Sequence, residues 1–98
     1  MSDFNERCYR VLKSVPKGKV TTYSAIAKRL NSKAFRAVGS AMRRNTDRSI
    51  PCHRVINSDG RVGNYNRGKA LKIKLLRGEG VTITDGKVDL KRFSAWIS

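Results

Sequence analysis

Apolar residues recur at helical spacing from the start of the chain: Phe4, Cys8, Val11, Leu12 and Val15. With Ser2-Asp3 as a capping pair ahead of them, the pattern predicts an amphipathic helix over Asp3–Val15. Pro16-Lys17-Gly18-Lys19 ends it in a turn. Thr22 is positioned to cap a second helix, Tyr23–Leu30, whose apolar face is Ala25, Ile26 and Leu30. Asn31-Ser32 interrupts the chain again. Ser32 then caps a third helix over about Lys33–Arg44, with Phe35, Val38, Ala41 and Met42 facing inward. Two short helices joined by a tight turn, the second of them basic, form the pattern of a helix-turn-helix.

Beyond Asn45–Ser49, a polar loop, the periodicity changes. Ile50-Pro51-Cys52-His53-Arg54-Val55-Ile56 is too short and too broken by proline for a helix, and reads as extended or tightly turned. Asn57-Ser58-Asp59-Gly60 is a turn, and Gly63–Gly68 is a loop bounded by glycine. Lys69–Arg77 returns to helical spacing, with Leu71, Leu75 and Leu76 inward and Gly78 as the stop. Val81–Thr84 and Lys87–Leu90 alternate in the strand manner around Asp85-Gly86, the signature of a type I′ hairpin. Phe93, Trp96 and Ile97 are expected to cover the apolar side of that hairpin. The fold class is therefore mainly α with a small β-hairpin, in a single domain covering residues 1–98.

Composition narrows the functional classes. The longest apolar runs, Ala25-Ile26-Ala27 and Ala95-Trp96-Ile97, are far short of the roughly 20 residues a spanning helix needs, so no membrane role is expected. No apolar segment follows Met1 in the manner of a secretory signal, which points to a cytoplasmic protein with reduced thiols. Among the 98 residues, 22 Lys and Arg stand against 7 Asp and Glu, for a formal charge of +15. Between Arg7 and Thr46 there are eleven basic residues and no carboxylate. A field of that sign over half a small domain calls for a polyanionic partner, of which nucleic acid is the leading class.

Cys8 lies in the apolar stripe of the first helix and reads as a core residue. Cys52 is different, because it adjoins His53, the sole histidine. A neighbouring imidazole or guanidinium, here His53 or Arg54, lowers a thiol's pKa and makes it nucleophilic, although such dipeptides also arise by chance. Glu79, between Gly78 and Gly80, is either a carboxylate that orients the histidine or a solvated loop residue. No Cys/His cluster makes a zinc site, so no metal and no cofactor are expected.

Pro51-Cys52-His53-Arg54-Val55 resembles the active-site signature of the O6-alkylguanine-DNA alkyltransferases. The likeness extends to Gly18-Lys19-Val20-Thr21-Thr22-Tyr23, to Arg36-Ala37-Val38-Gly39-Ser40-Ala41-Met42-Arg43, to Gly63-Asn64-Tyr65, and to Leu75-Leu76 with Glu79-Gly80. It implies a winged helix-turn-helix-like domain of the kind that family carries at its carboxy terminus. It implies also that Cys52 accepts an alkyl group once, with His53 as its base through a bridging water and Glu79 holding His53. Tyr23 would donate its hydroxyl to the departing guanine and press on the backbone phosphate. Arg36 would fill the space left by an extruded base, its plainer role being one more phosphate contact. Asn45 would brace the turn that presents Cys52. Met42 and Tyr65 would wall the pocket, the backbone around Asn66 would face O6, and the carbonyls of Cys52 and Val55 would accept the exocyclic amine. Lys28, Arg29, Lys33, Arg43 and Arg44 are the expected phosphate contacts. The implied partner is double-stranded DNA containing O6-alkylguanine, met by a monomer associated with the nucleoid, or in the nucleus of a eukaryote.

Several features depart from the family. Its usual members carry an additional amino-terminal domain, which is not expected here. Asn45-Thr46-Asp47-Arg48-Ser49 replaces a proline-rich loop that would stiffen the approach to the cysteine. Asn66-Arg67-Gly68 replaces a more glycine-rich stretch, so Arg67 is expected either to narrow the pocket mouth or to touch phosphate. A related group of similar length, the alkyltransferase-like proteins, binds O6-alkylguanine without transfer and flags it to excision-repair proteins. Its acceptor position is usually tryptophan, whereas this chain has Cys52. A helix-turn-helix transcription factor would explain the charge but leave Cys52, His53 and Glu79 together unexplained.

Overall fold

The computed structural model describes residues 3–96. Helix α1 runs Asp3–Leu12, strand β1 Thr21–Thr22, helix α2 Tyr23–Arg29 and helix α3 Phe35–Arg44. A 3₁₀ turn at Cys52–Arg54 leads into strand β2, Val55–Ile56, followed by helix α4, Lys69–Gly78, and helix α5, Leu90–Phe93. No helix among the described residues is long and apolar enough to cross a membrane. The capping expected of Ser2 and the packing expected of Ile97 lie outside the described residues.

The first helix ends a turn earlier than its apolar stripe. Val15 is buried but closes a tighter bond to Leu12 O at 3.0 Å, because the residue before Pro16 is pushed out of the α region. Thr22 caps α2 as its position predicts, its hydroxyl accepting from Ala25 N at 3.0 Å. Asn31 then turns left-handed at φ 58°, and Ser32 N bonds back to Ala27 O at 2.9 Å, a Schellman-type stop that sets the corner between α2 and α3. Ser32 does not cap α3. Its hydroxyl accepts from Ala34 N instead, and α3 begins at Phe35 with no side-chain cap.

Val38, Ala41 and Met42 enter the core as expected. Phe35 does not: it is 51% exposed, in a first turn of α3 whose residues are all exposed up to Val38. In α4, Leu76 is buried, Leu71 and Leu75 only half so, and Lys72 takes an interior place that the sequence reading gave to leucine.

Two apolar clusters meet at the short parallel pair, in which Thr21 faces Val55 and Thr22 faces Ile56. The first joins α1, α2 and α3 through Cys8, Leu12, Ile26, Val38 and Ala41, and it takes in Cys52 and Val55. The second gathers Val20, Ile56, Val62, Leu76, Val81, Ile83, Val88 and Phe93. Full burial of a side chain such as Ile26 contributes about 1.5–3 kcal/mol, and Cys52 shares in the three-helix cluster that such side chains build.

The Asp85-Gly86 turn forms with both residues at positive φ, 52° and 73°, and Thr84 and Lys87 exchange bonds of 3.0 Å. Its arms part after that one pair. The second arm turns to the 60–62 segment, where Val88 N bonds Gly60 O and Val62 N bonds Gly86 O. Phe93 covers this region as expected. Trp96 instead packs on the three-helix cluster, with the Arg29 guanidinium 4.2 Å from its ring centre.

Candidate active site

Cys52 sits at the first position of the 3₁₀ turn, almost fully buried, with its backbone N–H bonded to Ile50 O at 2.8 Å. The loop before it lacks the proline-rich sequence but is tied by side chains. Asn45 Oδ1 accepts from Asp47 N at 3.0 Å while its amide donates to Asp47 O, also at 3.0 Å. Asp47 in turn accepts from Ser49 N and Ser49 Oγ at 2.9 and 2.7 Å. The same Asn45 amide donates to Cys52 Sγ at 3.0 Å. Asn45 thus joins the end of α3 to the thiol directly. On its other side, Asn66 Nδ2 donates to Asn45 O at 2.8 Å, fastening the 63–68 loop to the same point.

His53 Nε2 lies 3.0 Å from Glu79 Oε2. Arg54 grips the same carboxylate twice, through Nε to Oε1 at 3.0 Å and Nη2 to Oε2 at 2.8 Å, and spends Nη1 on Val15 O at 2.8 Å. Glu79 is therefore no solvated loop residue; it joins the Cys52 turn to the end of α4. Arg54 is turned away from the thiol that its charge was expected to activate. Burial tends to raise the Glu79 carboxyl's pKa, but the Arg54 and His53 hydrogen bonds outweigh it and hold it below the ordinary value.

Burial sets the other protonation states. It raises the Cys52 thiol above its ordinary pKa, against the pull of the Asn45 hydrogen bond and the Lys72 charge. It lowers His53, outweighing the Glu79 hydrogen bond and charge, so the imidazole is neutral at pH 7. A neutral ring that donates from Nε2 to Glu79 keeps Nδ1 as its basic nitrogen. Burial also raises Tyr23, which stays a proton donor. The resting site is thus a protonated thiol beside a neutral base.

Cys52 opens into a cavity of about 870 Å³, walled by Tyr23, Met42, Tyr65 and Asn66 and rimmed by Arg36 and Arg43. Val55 is not brought to that wall; it is fully buried and its backbone pairs with Thr21. Arg67 lines a smaller neighbouring recess with Asn45 and Cys52 rather than the main mouth. Of the other expected cations, Lys28, Arg29 and Lys33 are exposed on or beside α2 and α3, while Arg44 faces a separate recess beside α1.

The sequence reading missed Lys72. Its side chain is 1% exposed, and Nζ donates to Asn64 O at 3.0 Å, fixing the 63–68 loop from beneath. Its position four residues before Leu76 and one before Ile73 was the available signal, a cation placed on the apolar stripe of α4.

A helix-turn-helix body thus carries a buried thiol, a histidine held by a carboxylate, and a cavity with a cationic rim. The chain belongs to the family described as 6-O-methylguanine DNA methyltransferase, DNA binding domain, whose model matches residues 3–81. It is 44% identical over 93 residues to a bifunctional methyltransferase/endonuclease of Picrophilus torridus, covering 93% of this chain and 31% of that protein. It is 50% identical over 74 residues to the methylated-DNA–protein-cysteine methyltransferase of Homo sapiens, covering 74% of this chain and 36% of that one. Among solved structures, S. pombe Atl1 in complex with damaged DNA containing O6-carboxymethylguanine superposes with a TM-score of 0.87 at 30% identity, over 100% of this chain and 98% of that chain. The chain spans about a third to a half of the length of the curated relatives it matches.

Proposed function

We propose that this chain repairs double-stranded DNA by taking the alkyl group of O6-alkylguanine onto Cys52, in a single turnover. The observation that carries the reading is the Cys52 thiol itself, which faces a cavity large enough for a purine and adjoins a neutral histidine. The guanine is extruded from the stack to enter that cavity, because its O6 substituent cannot meet a buried thiol while stacked. Arg36, on the exposed first turn of α3, fills the gap it leaves.

Transfer then follows from the protonation states. The thiol proton passes to His53 Nδ1 through a water, and Glu79 stabilises the imidazolium. Sγ attacks the alkyl carbon, the S–C bond forms, and the C–O6 bond breaks with its electron pair leaving on the guanine. The Tyr23 hydroxyl protonates that leaving group, a donor kept in its acidic form by burial. The Asn45 amide steadies the sulfur while it carries charge. The product is a thioether, whose C–S bond does not exchange with thiols as a disulfide would, so the cysteine is consumed. Cys52→Ala should bind the lesion and transfer nothing; transfer that persists on Cys8 would overturn the assignment.

A second reading keeps its own support in the Atl1 likeness, which covers both chains almost completely. In that reading the chain binds O6-alkylguanine without transfer and flags it to excision-repair proteins. Cys52 at the acceptor position favours transfer.

A further inference from the structure

Phe35 is the only large apolar side chain left exposed among the described residues. It occupies the first position of α3, immediately before Arg36, and both line the cavity that holds Cys52. Residues 33–37 are exposed throughout. Its spacing to Val38 and Met42 would put Phe35 on the inward stripe of a helix whose core reached that far. On this helix the core begins at Val38, and Phe35 is left half-exposed along the cavity instead. Arg36 and Arg43 line the same cavity, and Lys33 precedes the ring by two residues, in a stretch of chain without a carboxylate from Arg7 to Thr46. A half-exposed phenyl ring within a cationic rim matches nucleic acid better than any neutral partner. The charges fit phosphates, and the ring fits the faces of bases.

We propose that Phe35 is an apolar wedge acting beside Arg36. When the rim engages duplex DNA, the ring enters the base step flanking the target guanine, stacks on the neighbouring base and holds the step open. Arg36 then occupies the vacated position. The division follows from chemistry: a guanidinium replaces lost hydrogen bonds within a base pair, while a phenyl ring replaces lost stacking. The wedge rests on the proposed repair function for its substrate, but it does not depend on which of the two outcomes, transfer or binding, follows extrusion.

The test combines two substrates and one optical probe. Phe35→Ala and Phe35→Trp are compared with the unaltered protein for transfer from duplex DNA containing O6-methylguanine and from free O6-benzylguanine. A 2-aminopurine placed beside the lesion reports unstacking by its fluorescence. The wedge predicts that Phe35→Ala slows duplex transfer about ten-fold, within the worth of one base–aromatic stack. It leaves the free-base rate unchanged and abolishes the 2-aminopurine increase, while Phe35→Trp retains both. Equal losses on duplex and free base would make Phe35 a wall of the alkyl pocket and overturn the wedge. An undiminished 2-aminopurine signal in Phe35→Ala would do the same. If the unaltered protein gains no alkyl group from either substrate, transfer fails as a function, and the fluorescence arm alone decides the wedge.

Discussion

Replacing Lys72 with methionine removes a charge from the interior while keeping most of the side chain's length. The ammonium is 1% exposed and has one hydrogen bond, to Asn64 O at 3.0 Å. Burial drives its pKa from 10.5 down to about 8, with the neighbouring Lys69 adding to the fall and Cys52 opposing it. A lysine depressed in this way binds fewer protons in the native state than in the unfolded chain between pH 8 and 10.5. Stability therefore rises with pH across that window, and the penalty is fully present below it. At pH 7 the shift corresponds to about 3 kcal/mol of native-state cost. Methionine lifts that cost but leaves the Asn64 carbonyl without its donor, which costs about 1–3 kcal/mol. Near pH 7 the two effects offset, and Lys72→Met should be close to the unaltered protein in stability. Between pH 7 and 10 the unaltered protein should gain about 2–3 kcal/mol relative to the variant, since only it sheds the buried charge. Urea unfolding at several pH values, followed by Trp96 fluorescence, measures the difference; in the comparison the groups that Lys72 does not act on cancel, and Cys52→Ser in both backgrounds removes the one that it does. Parallel stability profiles would refute the account of Lys72 as a strained interior cation.

Three further outcomes follow from the site. Transfer from free O6-benzylguanine should fall as pH drops, with a midpoint below the ordinary histidine value of about 6.5, because burial lowers His53 and the protonated ring cannot accept the thiol proton; a rate that stays level down to pH 5 would remove His53 as the base. Arg36→Ala should slow transfer from duplex DNA about 100-fold, the scale of an unaided extrusion, and spare the free base; equal losses on both would take the finger role from Arg36. Binding to undamaged duplex should fall with salt at a log–log slope near −4, about 0.9 for each of four or so phosphates. Charge reversal at Arg43 and Arg44 should flatten that slope to about −2, and an unchanged slope would move the phosphate contacts elsewhere.

Local signals foretold local structure well. Thr22 as a cap, Asn31 as a breaker and Asp85-Gly86 as a turn are decided within four residues, and each formed as expected. What depended on distant partners was harder to read. The parallel pair of Thr21-Thr22 with Val55-Ile56 is two residues long, too short to impose a period. The arms of the hairpin parted because Val88 found Gly60 across the fold, a pairing that nothing near residue 88 announces. Phe35 has the right spacing for the core, but the core ends one turn too soon. In the site, Cys52, His53 and Glu79 were legible as a set through the family's signature, and the structure brings His53 and Glu79 within hydrogen-bonding distance. Arg54 and Lys72 were not. One is a cation beside a thiol that serves a carboxylate instead, and the other is a helix lysine that lies inward.

The central claim is that Cys52 is an acceptor and not merely the floor of a binding pocket. It is met most directly by the intact mass of the protein after incubation with a slight excess of duplex DNA carrying a single O6-methylguanine. The account predicts a gain of one methyl group per protein, located on Cys52, with no second addition when more substrate is supplied. An unchanged mass in a protein that nonetheless holds the damaged duplex tightly would contradict it and leave lesion recognition without transfer.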